Sequence, residues 1–135
     1  MKPITLTSCS FAMSRKSPFI AYTKGSVHFT ETLEDATRHP RVTHIVGTAN
    51  GDVFNPHGSL VGNAEGFLND WREFNQICEA NKRLDFIRGL KSQCPEYFND
   101  VPIPESKHVY GEGGKPTPNP FLVLRNRSKA ALSRL

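Results

Sequence analysis

The sequence predicts an α+β fold: a small antiparallel sheet from two hairpins, packed on one long central helix, with basic extended N- and C-terminal arms. Three observations carry that expectation. Residues 18–30 alternate around a Lys24-Gly25 turn, as a hairpin does. Residues 41–54 repeat the pattern around Asn50-Gly51. Between Asn63 and Lys91, Phe67, Trp71, Phe74, Ile77, Leu84 and Ile87 recur at spacings of three, four or seven, which lines one side of a helix.

Taken in order, residues 1–17 show neither period and are rich in Ser and Thr, so they read as a basic N-terminal arm. In the first hairpin a two-residue loop places Ile20 opposite Phe29 and Tyr22 opposite Val27 on one face. Ala21, Thr23, Ser26 and His28 share the other. Thr32 followed by Leu33, Glu34 and Asp35 is a helix start, a hydroxyl cap with acids near the positive end of the dipole. That helix stops by His39-Pro40. Asn50-Gly51 suits a type I′ turn, whose two central residues need positive φ.

A glycine-punctuated loop then leads to the long helix, with Asn63 as its expected N-cap and Cys94-Pro95 as its end. Residues 18–95 therefore form the globular domain. Residues 96–135 read as a Pro/Gly-rich strap and a basic tail. Within that tail Phe121–Leu124 is expected as an edge strand or docking segment, and Ser128 could cap one or two turns of marginal helix.

At 135 residues the chain fits one domain that can bury a core without metals or disulfides. No apolar run approaches the length of a membrane span, so no membrane association is expected. Cys9, Cys78 and Cys94 are an odd number with no CxxC pair, which fits free thiols in a cytoplasmic protein.

Charge is segregated. Residues 1–17 carry +3 with no acid. Residues 18–106 hold 8 basic and 12 acidic side chains, and residues 107–135 hold 6 basic and 1 acidic. The body is acidic and both ends are basic.

Catalytic and metal signatures are weak by comparison. Gly111–Thr117 has a glycine loop with a lysine, but Pro116 follows the lysine where a phosphate-binding loop needs Ser or Thr and a helix. Asp35, His39 and His44 could supply metal ligands but lack the second cluster of a zinc site. A Cys78 or Cys94 nucleophile with His44, His57 or His108 has nothing to mark it as activated. Neither an enzyme nor a cofactor is expected.

The constellation that remains is basic and aromatic. Arg15, Lys16, Lys107, Lys115, Arg125, Arg127, Lys129 and Arg134 are the expected phosphate contacts, with Tyr110 and Phe121 as stacking residues and Phe19 and Tyr22 as further candidates. Neutralised phosphates release condensed counterions, and unpaired bases stack on aromatic rings. A duplex reader wants a helix with a basic, Asn/Gln-rich face, and the Asn63–Lys91 segment mixes both signs. The expectation is a non-enzymatic nucleic-acid-binding protein that prefers single strands, a phage-type accessory factor in transcription or replication with a polymerase or other protein as partner. The alternative is a protein-interaction module or inhibitor that docks through its C-terminal tail, or pairs with a second copy there.

Overall fold

The computed structural model describes residues 18–76, 100–103, 105–110 and 115–133. A six-stranded antiparallel sheet organises them: β1 (Phe19–Thr23), β2 (Ser26–Thr30), β3 (Val42–Gly47), β4 (Asp52–Phe54), β5 (Leu60–Asn63) and β6 (Asp100–Pro102), in the order β5-β4-β3-β1-β2-β6. The short helix α1 (Leu33–Thr37) links β2 to β3. Residues 67–76 form helix α2, and β7 (His108–Tyr110) and β8 (Pro116–Pro118) pair as a separate ribbon that leads into α3 (Pro120–Ser133). Among the described residues no helix is long and apolar enough to cross a membrane.

The first hairpin has the register its alternation dictates, with Ile20 opposite Phe29 and Tyr22 opposite Val27. Gly25 supplies the positive φ, 88°, at its turn. These four side chains join Val46 and Val53 on one face of the sheet, where Phe67, Phe74, Phe121, Leu124 and Ala131 cover them. The opposite face is thinner: Ala21 and Ile45 pack with Ala36 of α1, flanked by Phe19, Leu33 and Phe54. Helix α1 starts as expected, its Thr32 hydroxyl accepting from Asp35 N at 3.1 Å.

Several expectations are corrected. The β3–β4 turn is not type I′. It is a four-residue loop, Thr48–Gly51, in which Gly51 N donates to Gly47 O at 2.8 Å and Gly51, not Asn50, takes positive φ. Asn63 caps no helix. It ends β5, and its amide donates to Asn50 O (2.8 Å) and Asp52 Oδ1 (3.0 Å). Of the expected long central helix, residues 67–76 are helical, and the rest of the expected span lies outside the described residues. Within that stretch the period holds: Trp71 stacks between Phe67 (6.1 Å) and Phe74 (5.2 Å).

The proline-rich strap is also more ordered than its composition suggests. Residues 100–102 add to β2 as an edge strand, where Pro102 leaves no inner ladder position without its donor. The largest correction concerns the C-terminal segment. Residues 120–133 are neither an extended arm nor an edge strand but a 14-residue helix. Its start is built by Asn119, whose Oδ1 accepts from Phe121 N at 3.0 Å, with Pro120 in the first helical position. Ser128 is not a cap but a buried residue in mid-helix.

Phe121, Leu124, Ser128 and Ala131 form the buried stripe that seats α3 on the sheet. Leu124→Ala should cost about 2–5 kcal/mol through lost burial and the cavity left behind. Ala130→Ser on the exposed side should stay within about 0.5 kcal/mol. Urea midpoints for the two variants check this; equal midpoints would mean that α3 is not part of the folded body.

Candidate nucleic-acid interface

A helix turns 100° per residue, so seating residues 121, 124, 128 and 131 inward fixes where each α3 cation lies. Arg125 and Lys129 fall together on the flank nearer β1 and β3. Arg127 falls on the opposite flank. The electrostatics agree with this placement, since Arg125 and Lys129 both bear on His44 of β3, and Arg125 on Tyr22 of β1.

Arg127 is engaged within the molecule. Its Nε pairs with the Asp70 carboxylate of α2, and Nη1 donates to Glu65 O at 3.2 Å. Gly66 makes room for it, because a Cβ there would lie 2.7 Å from Nη1, at a φ of 79°. Lys129 is exposed and Arg125 half-buried, its Nε without a hydrogen-bond partner. The 14 residues of α3 contain no acid.

The β7–β8 ribbon gathers three more of the expected contacts. Lys107 and Lys115 are exposed at its two ends, and Tyr110 is half-exposed between them. Val109 points into the core, so by alternation His108 and Tyr110 share the outer face with their partners Pro118 and Pro116. Asn119 N donates to Lys107 O at 2.9 Å, which holds Lys107 beside the first turn of α3.

Other expected residues are not on this surface. Phe121 is 3% exposed and meets Phe74 edge-to-face at 4.9 Å, so it cannot stack on a base while α3 is seated. Tyr22 is buried, and burial pushes its phenol above the usual range while Arg125 opposes that. Phe19 is half-buried on the other sheet face against Phe54. Arg15, Lys16 and Arg134 lie outside the described residues, as do Cys9, Cys78 and Cys94.

The metal reading gains nothing. His39 stacks on His28 at 4.0 Å, and His44 is on the far face of the sheet. Among the described residues no group of three or more His, Cys, Asp or Glu could hold an ion. Lys115 is followed by strand β8 rather than by a helix, so the phosphate-loop reading lacks its structural context.

One pair gives no sequence signal because its members are 84 residues apart. His44 Nε2 lies 2.7 Å from Ser128 Oγ. Thr43 Oγ1 donates to Tyr22 O (3.1 Å) and so accepts from His44 Nδ1 (3.0 Å), which leaves Nε2 bare to receive the serine proton. That hydroxyl has one proton and three acceptors in reach, with Leu124 O and Arg125 O each at 3.0 Å. Nε2 is the nearest. The arrangement resembles a nucleophile and its base, yet His44 is 1% exposed and Ser128 0%, so no substrate reaches them. The pair is structural.

Comparisons with protein-family models, curated proteins and solved structures find no match to this chain.

Burial first, then Lys129 and Arg125, lower the His44 pKa from 6.5 to about 4. The folded state thus refuses a proton that the unfolded chain accepts below about pH 6.5. The stability contributed by neutral His44 is complete above that value, falls as pH drops, and is fully lost below about pH 4. The loss is on the order of 3 kcal/mol. Urea unfolding from pH 7 to 4 should show this decline, and His44→Gln, which cannot titrate, should flatten it. Parallel profiles for the two proteins would exclude His44 as the source.

Proposed function

We propose that this chain is a nucleic-acid-binding protein that acts by association, through a cationic surface shared by the β7–β8 ribbon and the acid-free helix α3. One observation supports the reading above others. Lys107, Tyr110 and Lys115 sit on one ribbon that feeds directly into a helix bearing Arg125 and Lys129 on a common flank. Polyphosphates reward such grouping, because each neutralised phosphate releases counterions. The role we propose for such a binder is an accessory one in transcription or replication.

The surface is narrower than the full set of basic residues. Arg127 already has Asp70 as its counter-ion, and a phosphate would have to displace that carboxylate. Among the described candidates the aromatic ground for preferring single strands is reduced to Tyr110, because Phe121 and Tyr22 are in the core and Phe19 packs on Phe54 on the other sheet face. The alternative, a C-terminal docking peptide, would require α3 to leave the sheet and expose Phe121, Leu124 and Ala131.

Substitution tests the reading better than truncation, since cutting the chain at Asn126 removes Ser128 and Ala131 from the core. The triple variant Lys107→Ala/Lys115→Ala/Lys129→Ala alters only exposed side chains. Anisotropy of labelled oligonucleotides should show wild-type affinity falling steeply with salt. The variant should bind more weakly, with a log–log salt slope shallower by about 2–3. No binding at low salt to any oligonucleotide, or identical slopes, would defeat the proposal.

A further inference from the structure

The solvent side of α3 has a composition that its cations alone do not explain. Opposite the buried stripe run Asn126 and Ser133, seven residues apart, with Lys129 between them at the border of the Arg125 flank. Leu122 is half-buried against the core, while Asn126, Lys129 and Ser133 are exposed, and exposed Ala130 adds no bulk beside them. The line therefore offers an amide, an ammonium and a hydroxyl oxygen whose proton goes to Ala130 O at 2.9 Å, with no acidic group anywhere on the helix.

The neighbouring charge is arranged to match. Asp70 lies on the Arg127 flank, where Arg127 neutralises it while also meeting the Glu65 backbone carbonyl. On the other flank Arg125 adds positive charge beside the line, and Lys107 adds more at the first turn. Glu105 is the described acid nearest Lys107 in sequence, on the approach to β7 rather than on the helix.

We infer that the polymer is double-stranded DNA and that α3 seats in its major groove, with Asn126, Lys129 and Ser133 turned to the base edges and Arg125 and Lys107 to the flanking phosphates. This rests on the nucleic-acid reading above and names the form of polymer. A helix of 14 residues is about 21 Å long and about 10–12 Å across, and the major groove of B-DNA is about 12 Å wide. Asn pairs with the adenine edge, Lys with the guanine edge, and Ser with either. Duplex RNA is disfavoured because its deep, narrow major groove does not admit side chains on a helix. Single strands would be held by stacking, for which this face of α3 has no aromatic residue.

The test presents one base sequence to the full chain as duplex DNA, single-stranded DNA and duplex RNA, at fixed low salt. Duplex DNA should bind at least about tenfold tighter than either other form. Asn126→Ala and Lys129→Ala should each weaken duplex DNA selectively, whereas Lys107→Ala should weaken all three forms alike. Dimethyl sulfate footprinting should show guanine N7 protected in the bound duplex. Equal or tighter binding to the single strand or to duplex RNA would overturn the inference while leaving the nucleic-acid proposal standing. So would unprotected guanine N7, or unchanged duplex affinity in Asn126→Ala. Failure of every form to bind would remove the broader proposal as well.

Discussion

A serine in the middle of α3 meets a histidine near the middle of the sheet at 2.7 Å, with water excluded from both. Two buried polar groups that satisfy one another tolerate few other arrangements, because sliding or rotating the helix would strand both. The apolar contacts of Phe121, Leu124 and Ala131 supply attraction, but attraction of that kind is nearly indifferent to a small rotation. The Ser128–His44 bond is not. It sets the rotation of α3, and the rotation decides which cation faces an acid and which lie on the flank toward β1 and β3.

That rotation leaves the charges of α3 unequally treated. Arg127 finds Asp70 and a backbone carbonyl, a contact that ties α3 to α2 and requires the bare glycine at position 66. Arg125 and Lys129 are placed near an imidazole that must stay neutral, and their charge adds to the effect of burial in keeping it so. Two cations beside a buried ring, with no carboxylate on their own helix, are not an arrangement that folding alone would favour. Departures from local consistency of this sort tend to mark places where a surface answers to a ligand rather than to the core.

The parts of this fold that were legible in the sequence are those fixed by short-range rules. The β1–β2 register follows from alternation and turn length, and the α1 cap from Thr32 and the acids after it. Strand β5 and the ribbon were not legible, since strands of three or four residues, with glycine inside β5 and prolines in β8, have no period to detect. The C-terminal helix had a local signal, Asn119-Pro120, but its apolar stripe is interrupted by Ser128 at a core position. Only the distant His44 makes that serine a core residue, and a single sequence does not show the pairing. The candidate interface was half legible for the same reason. Its residue types were evident, but burial of Phe121 and capture of Arg127 depend on how α3 is turned.

Cations on a seated helix and cations on a loose tail differ in what they can recognise. A flexible tail orders itself on the polymer and loses conformational entropy in doing so, which suits contacts that need no fixed register. Here the backbone from Pro120 to Ser133 is already helical and held by the sheet, so Asn126, Lys129 and Ser133 keep fixed spacing before any partner arrives. Fixed spacing is wasted on a featureless polyanion. It has value only against a ligand whose own groups are fixed, and a base-paired duplex, with donors and acceptors at set positions along its groove, is such a ligand. The internal bond that orients α3 is therefore also what would let its outer side read a sequence rather than merely attract charge.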